Sequence, residues 1–444
     1  MTDEFKQEKA SLFALIQSGD ENNVDIAIQI MKGDVALQRA FVQDAYMIIE
    51  QSWHLRTIQG VLRAAEDTPA AKATLKKRYA SLLHLVSTLT HNSNKLTTLV
   101  SVVDAFQSYY LYRPSGWQPT ANDKEIMATL PVQTLNLRDR CFSRLPDWMG
   151  YLTQLKTLIL SRNVLKVLPD SICNLTRLEH LDLQENVLET LPQNIGNLTA
   201  LKTLELRKNS FQVLPDSIGQ LIGLEELSLE YNQLTAIPVS IGQIQRLVKL
   251  DISDNNLTHL PEEIGAFSNL VELDARNNQL ESLPSSLQQL TKLEILWLSN
   301  NQLADLPNWV SAFKKLRKLH LSNNQLKHLP SVITALSNLK RLYLHNNHLT
   351  TLPDDIGQLS SLNYIDLDEN NIQLLPESLG DLIALREIRL FNNPIEKLPA
   401  RLIELPNFKE IGLGDTPIGR QYGIEVVRGR KEVVTLLRQV SVVF

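Results

Sequence analysis

A pattern of leucines recurs every 23 residues through most of this 444-residue chain, and this period restricts the possible folds more than any other feature. The unit reads L-x-x-L-x-L-x-x-N-x-L-x-x-L-P-x-x-I-x-x-L, and Leu155 occupies position 1 of the second unit. Twelve full units run without insertion from Val132 to the unit that starts at Leu385, and a degenerate unit starts at Phe408. A fixed period of this length indicates stacked units that share one core.

Each position of the unit has a predicted role. Leucines at positions 4 and 6, such as Leu158 and Leu160, alternate as in a short strand that faces the interior, and stacked strands form a parallel sheet. The asparagine at position 9, present in eleven units, is expected to bond the backbone of the turn and of the next unit. Proline at position 15 ends the strand side of the unit. Glycine at position 19 is expected to let the chain turn back in several units, among them those with Gly196, Gly219, Gly242, Gly265, Gly357 and Gly380.

The pattern resembles the leucine-rich-repeat family, of the 23-residue type with Leu-Pro in each unit, over roughly residues 130–415. Similar arrays occur in Ras-suppressor-like and plant intracellular scaffolds and in bacterial proteins. The resemblance implies an α/β solenoid, a curved array whose parallel sheet lines the concave face. It also implies that the concave face binds a protein.

The two ends of the chain differ from the repeats. Apolar residues at helical spacing, such as Val24, Ala27, Ile28 and Met31, predict an all-helical N-terminal domain over residues 1–118. We interpret residues 119–131 as a linker, 132–415 as the array and 416–444 as a C-terminal cap, with a terminal helix over 424–440. The N-terminal domain is either a cap for the array or a separate binding or oligomerisation module.

Composition narrows the classes of partner and compartment. The net charge of −5 argues against nucleic-acid binding. The chain has two cysteines, begins without a signal-peptide pattern and contains no run of about 18 apolar residues, so we expect a cytoplasmic protein without a membrane span. We expect no cofactor and no metal, and a monomer is favoured.

Positions 2, 3, 5, 7 and 8 of each unit are predicted to face outward from the strands, and two zones emerge along them. Units eight to twelve carry the predicted partner-binding residues Ile295, Trp297, His320, Arg341, Tyr343, His345, Tyr364, Arg389 and Phe391. The aromatic residues among them either form an interaction surface or shield the sheet from water by stacking on their neighbours. Units three to seven carry a secondary acidic zone, which is either a solvated face or a site for a basic segment: Asp182, Glu205, Glu226, Glu230, Asp251, Glu272 and Asp274.

Three groups of residues contain residue types that also occur in catalytic or nucleotide-binding sites. His345 and Asp368 share position 7 of neighbouring units, but an open sheet face lacks the water-excluding pocket that general acid–base chemistry uses. Residues 414–421 have the glycine spacing of a phosphate loop but lack its Lys and its Ser or Thr. Cys141 and Cys173 have no His base in the repeat register and are interpreted as structural.

The sequence therefore predicts a non-enzymatic intracellular scaffold or adaptor that binds a protein through the concave face. Two alternatives stay open. One is a regulatory or targeting subunit that acts through the helical N-terminal domain, and the other is a bacterial effector without catalytic activity.

Overall fold

The computed structural model describes residues 133–441 together with Lys124 and Ala128. The predicted helical domain over residues 1–118 lies outside the described residues. Lys124 and Ala128 are helical, within the stretch interpreted as a linker. The Ala128 carbonyl accepts hydrogen bonds from Thr153 Oγ1 at 3.0 Å and from Gln154 Nε2 at 2.8 Å, so this part of the stretch contacts the end of the first repeat.

Short strands recur at the predicted period. They are β1 Thr134–Asn136, β2 Thr157–Ile159, β3 His180–Asp182, β4 Thr203–Glu205, β5 Glu226–Ser228, β6 Lys249–Asp251, β7 Glu272–Asp274, β8 Ile295–Trp297, β9 Lys318–His320, β10 Arg341–Tyr343, β11 Tyr364–Asp366, β12 Glu387–Arg389, β13 Glu410–Gly412 and β14 Val426–Arg428. β1 and β2 belong to one compact unit, and β3 onward belong to a second. Within each unit neighbouring repeats pair in parallel, with residues of equal repeat position side by side.

A one-turn 3-10 helix follows the Leu-Pro pair of each repeat. These turns span Asp147–Tyr151, Asp170–Asn174, Ile195–Asn197, Asp216–Gln220, Val239–Gln243, Glu262–Ala266, Ser285–Gln289, Asn308–Ala312, Ser331–Ala335, Ile356–Gln358, Glu377–Asp381 and Ala400–Glu404. In most repeats the repeat proline directly precedes the turn, with φ near −65° as at Pro238. Because proline fixes φ at this value and donates no hydrogen bond, it ends the strand side and starts the turn.

The core consists of the repeat's own apolar positions. Leu158, Leu160 and their equivalents have no more than a trace of solvent exposure, and Phe211, Phe267, Phe313 and Phe408 are among the largest fully buried side chains. The predicted inward and outward alternation of the strand is therefore confirmed. No repeat encloses these side chains alone, so the stabilising burial arises between neighbours.

The asparagines of position 9 form a continuous buried ladder. Asn186 Nδ2 donates to the carbonyl of Leu183 in its own repeat at 2.9 Å and to that of Leu160 in the preceding repeat at 3.0 Å. Its Oδ1 accepts from the N–H of Leu165 at 3.1 Å. The predicted backbone bonding is confirmed, but the second partner is the preceding repeat rather than the following one. The ladder satisfies backbone groups that the turn would otherwise leave unpaired inside the protein.

The structure gives a reason for glycine at position 19 that differs from the predicted turn of the chain. None of them has a positive φ. A Cβ on Gly265 would lie 2.5 Å from the Ser286 carbonyl oxygen of the next repeat, and one on Gly242 would lie 2.8 Å from that of Glu263. Glycine is therefore required by the close approach of neighbouring 3-10 turns, and not by a reversal of the chain.

This contact predicts that Gly219→Ala destabilises the array, because its Cβ would overlap the Ser240 carbonyl and separate two repeats. We expect a loss of about 1–3 kcal/mol in the free energy of unfolding, measured by urea titration. Ser311→Ala, at the same repeat position in a repeat that already accepts a side chain there, is the control. Equal stability of the Gly219 variant and wild type would remove this explanation.

The C-terminal cap differs in part from its prediction. Helix α1 spans Pro417–Tyr422, and helix α2 spans Arg430–Ser441. Between them, residues 426–428 of the predicted helix form β14, which pairs antiparallel with β13. The sheet is therefore parallel except at this last strand. Gly423 and Gly429 have φ of 65° and 97°, which break the helical path on either side of β14.

Candidate functional site

Four aromatic rings from successive repeats form one column on the outward face of the sheet. The ring centroids of Trp297 and His320 lie 3.7 Å apart, as do those of His320 and Tyr343, and both pairs are stacked nearly parallel. Tyr364 continues the column at 5.0 Å from Tyr343, with a tilt of 43°. We call these four residues the aromatic column.

Parallel pairing explains the column. Trp297, His320 and Tyr343 all occupy position 5, so the sheet register places them directly beside one another at about one strand spacing. Position 5 of the next strand is Asp366, and the column moves to Tyr364 at position 3, which accounts for the tilt. The ring faces contact each other, so the ring edges and not the faces point away from the sheet.

Arg276 closes the first end of the column. Its guanidinium carbon lies 4.8 Å from the Trp297 ring centroid, as a cation–π contact. Two nitrogens of the same guanidinium bind Asp274, Nη2 to Oδ2 at 2.7 Å and Nε to Oδ1 at 3.1 Å. Sequence reasoning placed Asp274 in a separate acidic zone and gave Arg276 no role, although Arg276 precedes the column by one repeat at an outward position. The structure shows that this arginine joins the two zones.

The environment of the column keeps His320 neutral. Burial between two rings, and then the nearby cations Arg276, Lys318 and Arg341, lower the pKa of His320 to about 3. The indole Nε1 of Trp297 is buried and has no hydrogen-bond partner among the described residues. An unpaired buried donor carries a cost of about 1–3 kcal/mol, which offsets part of the stabilisation that the ring gains from its stacking contacts.

The remaining predicted residues surround the column without extending the stack. Ile295 lies on the same strand as Trp297, at the neighbouring outward position. Arg341 Nη1 lies 3.5 Å from Tyr343 Oη. Tyr364 Oη lies 3.5 Å from Asp366 Oδ2, and burial raises the pKa of this tyrosine. His345 is half-buried and lies two residues after Tyr343, beyond the end of β10.

Phe391 belongs to a separate contact at the last repeat. A Cβ on Gly412 or Gly414 would overlap the Phe391 ring, so the ring lies over two glycines at outward positions 5 and 7 of the last repeat. The Arg389 guanidinium carbon lies 5.3 Å from the ring centroid, as a cation–π contact. The glycines that flank Leu413 are the sequence signal that could have identified this packing.

Both carboxylate oxygens of Asp368 bond to residues of the next repeat. Its Oδ1 accepts from the Phe391 N–H at 2.8 Å, and its Oδ2 pairs with Arg389 Nε at 3.1 Å. Burial and the neighbouring Asp366 raise the pKa of Asp368. The contacts of this carboxylate are therefore structural and do not include His345, the partner considered for acid–base chemistry.

Residues 414–421 form a helix cap. Thr416 is the N-cap of α1, and its Oγ1 accepts a hydrogen bond from the Gly419 N–H at 2.9 Å. The two glycines have packing reasons, because a Cβ on Gly414 would overlap the Phe391 ring and one on Gly419 would overlap the Leu413 carbonyl oxygen. Within the described residues, no group of three or more His, Cys, Asp or Glu side chains could hold a metal ion.

The aspartates of the acidic zone have a local structural role that the sequence analysis did not assign. Oδ1 of Asp182, Asp251 and Asp274 accepts the backbone N–H two residues later, at 3.0–3.1 Å. Such a bond fixes the chain where it leaves the strand. The three glutamates of positions 3 and 5 have no such bond in the described structure: Glu205, Glu226 and Glu272.

Glu230 is a carboxylate of this zone that is largely buried, with one oxygen unpaired among the described residues. Its Oε1 lies 3.4 Å from Arg207 Nε, while its Oε2 is buried without a hydrogen-bond partner among the described residues. Burial, and then the negative charge of Asp251, raise the pKa of Glu230 to about 7. Burial and Asp251 likewise raise the pKa of Asp274 to about 6.

This shift predicts a specific pH dependence of stability. The folded-state pKa of Glu230 lies above its ordinary value of 4.5, so ionisation of this carboxyl lowers the free energy of unfolding. The stability that the protonated Glu230 allows is fully present below about pH 4.5 and is lost as the pH rises through about 7. We expect Glu230→Gln to unfold with a smaller loss of stability across that window than wild type, measured by urea titration at several pH values. Glu369→Gln, an exposed position of the same face, is the control. Identical slopes for Glu230→Gln and wild type would contradict the assignment.

Comparison with known proteins agrees with this architecture. The family model described as a leucine-rich repeat region matches residues 118–207. The leucine rich repeat model matches 199–257 and 337–395, and a model of two repeat copies matches 268–311 and 314–356. No curated protein matches the chain in sequence at a significant level.

Solved structures give the same result. A leucine-rich-repeat protein of Leptospira interrogans is 30% identical, with a TM-score of 0.59 over 72% of this chain and 85% of its own. A TDR receptor is 31% identical, with a TM-score of 0.53 over 65% of this chain and 56% of its own. An internalin of Listeria monocytogenes, at 20% identity and a TM-score of 0.57, shares the fold over 70% of this chain and 88% of its own.

These repeats, strands and matches define a leucine-rich-repeat fold. The chain belongs to the leucine-rich-repeat family. Proteins of this family generally act through protein–protein interaction, and the fold is typically non-enzymatic. In the part of the chain that the structure describes, no helix is both long enough and apolar enough to cross a membrane.

Proposed function

We propose that this protein is a non-enzymatic intracellular scaffold or adaptor that binds a protein partner through the aromatic column. The observation that carries the proposal is the stacked row of Trp297, His320, Tyr343 and Tyr364 on the outward face. Phe, Trp and Tyr make up 6% of the chain, yet three of them meet with His320 on four successive strands. Large aromatic side chains are the residues that contribute most to protein interfaces.

The rigidity of the column supports this role. Each ring is held by its neighbours, and Arg276 fixes the Trp297 end through its bidentate pair with buried Asp274. A surface that is already ordered loses little conformational entropy when a partner binds. The family's general use of protein–protein interaction supports the same class of partner. A cytoplasmic location and a monomeric state are part of the proposal.

Affinity capture from a native extract of the source cells tests the proposal. Wild type is compared with Trp297→Ala/Tyr343→Ala and with the control Trp309→Ala, a half-buried tryptophan on the 3-10 turn Asn308–Ala312. We expect one or more proteins to be retained by wild type and by the control and to be lost from the double variant. Retention of the same proteins by all three would move the site away from the column.

The same assay separates the alternative of a regulatory subunit that acts through residues 1–118. In that case capture would depend on those residues and would be insensitive to the column variants. Wild type and the double variant would then retain the same proteins, and removal of residues 1–118 would abolish capture.

A further inference from the structure

Four cations lie together beside the middle of the aromatic column. Lys318 and Arg341 begin β9 and β10, at position 3 of their repeats, and Arg317 and Lys340 directly precede them at position 2. We call these four residues the basic rim. The sheet register places Arg341 directly beside Lys318. The outward positions of these two strands contain no Asp or Glu, although the chain as a whole has a net charge of −5.

The charge of the basic rim is largely unneutralised. Arg317 Nη1 lies 3.0 Å from Glu294 Oε2. Of the described acidic residues, none forms an ion pair with Lys318, Lys340 or Arg341. Like charges this close repel one another, so the arrangement favours an anion that binds between them. The lowered pKa of His320, caused by burial and then by Arg276, Lys318 and Arg341, is consistent with a positive potential at this point.

Carboxylates flank the basic rim on both sides. Glu294 directly precedes β8 and pairs with Arg317, and β7 beyond it carries Glu272 and Asp274 at outward positions. On the other side, β11 and its extension carry Asp366 and Asp368. The positive strip is therefore two strands wide, or about 10 Å at the usual strand spacing. A long uniform polyanion that crossed the strip would meet carboxylates at both ends.

The aromatic column adds the same preference. Because its ring faces contact each other, its ring edges are presented, and these carry partial positive charge. The Tyr343 hydroxyl lies 3.5 Å from Arg341 Nη1, at the boundary between column and rim. A hydroxyl, ring-edge C–H groups and ammonium or guanidinium groups all interact favourably with carboxylate oxygens.

We propose that the basic rim and the adjoining edge of Tyr343 bind a short acidic segment of the partner protein, about three extended residues long. Its Asp or Glu side chains contact Lys318 and Arg341, and the residues before and after it are neutral or basic, to match the acidic strands on either side. This inference rests on the proposed function and assigns the chemistry of the partner at the same face.

Selection of displayed random dodecapeptides on the full-length protein tests the inference. Peptides enriched on wild type are measured individually against three variants. Lys318→Gln/Arg341→Gln removes rim charge, Trp297→Ala/Tyr343→Ala removes the column, and Lys166→Gln/Lys327→Gln removes the same charge from two exposed positions outside the face. A short DNA duplex and phosphatidylserine vesicles serve as polyanion probes.

We expect the enriched peptides to share neighbouring Asp or Glu residues. Their affinity should fall about tenfold on the rim variant, stay unchanged on the Lys166/Lys327 variant and weaken with added salt. Peptides that need the column but not the rim would overturn this inference and leave the proposed function intact. Peptides that need neither, or no enrichment, would overturn both. Rim-dependent binding of the duplex or the vesicles that exceeds peptide binding would replace the acidic segment with a polyanion.

Discussion

Asn301→Ala is expected to destabilise the protein by about 2–4 kcal/mol, although it removes a small side chain without apolar surface. Asn301 Nδ2 donates to the carbonyls of Leu298 and Ala275, both at 3.0 Å, and its Oδ1 accepts from the Leu280 N–H at 3.0 Å. The residue is 8% exposed. Alanine would leave the Leu280 N–H without an acceptor in the interior and would weaken the bonding of two carbonyls.

The free energy of unfolding, from urea titration followed by circular dichroism, measures this effect. Gln302→Ala is the matched control, because it shortens an exposed amide side chain at the next residue. Surface changes of this kind usually alter stability by less than about 0.5 kcal/mol. If the two variants were equally stable, the ladder would be a consequence of the fold and not a cause of its stability.

Leu298→Ala and Trp297→Ala should differ strongly, because neighbouring residues of one strand face opposite sides. Leu298 is fully buried, so its truncation removes packing and leaves a cavity, at a cost of about 2–5 kcal/mol. Trp297 is half-buried, and its loss forfeits stacking on His320 and the contact of Arg276, at a cost of about 1–2 kcal/mol. The proposed function predicts the opposite order for binding.

The measurement therefore has two axes, stability by urea titration and partner retention by affinity capture. Leu298→Ala is compared with wild type under conditions in which both are folded. Weak retention by Leu298→Ala together with full retention by Trp297→Ala would show that the column has no part in binding. A larger loss of stability in the tryptophan variant would show that the ring serves mainly to pack the sheet.

Much of the fold could be predicted from the sequence, because a strict period repeats the same physical problem in every unit. Leucine at positions 4 and 6 has one solution, an inward-facing strand, and Leu158 and Leu160 are buried as expected. Asparagine at position 9 predicted a backbone bond, and the ladder contains it. The prediction of the C-terminal helix was partly wrong, since apolar spacing in residues 424–428 does not distinguish a strand from a helix.

Details that depend on contacts between repeats could not be predicted in the same way. The glycine of position 19 looked like a turn residue, but the nearest atoms belong to the following repeat, as Gly265 and Ser286 show. Asp251 at position 5 accepts the Ser253 N–H at 3.0 Å. This structural role was not predicted, because the charge of Asp251 indicated a solvated face or a site for a basic segment. Outward position and residue type brought Trp297, His320 and Tyr343 into one candidate site. The stacking of these rings and the contact of Arg276 with both Trp297 and Asp274 could be seen only in the structure.

Site-specific photo-crosslinking in a native extract tests the central claim most directly. A benzophenone amino acid replaces Tyr343 in one variant, on the aromatic column, and Trp309 in another, on the 3-10 turn Asn308–Ala312. We expect the Tyr343 probe to form a covalent adduct with a discrete protein partner and the Trp309 probe to form none. Adducts formed at Trp309 and absent at Tyr343 would contradict the proposed function and would place the binding surface on the other side of the repeats.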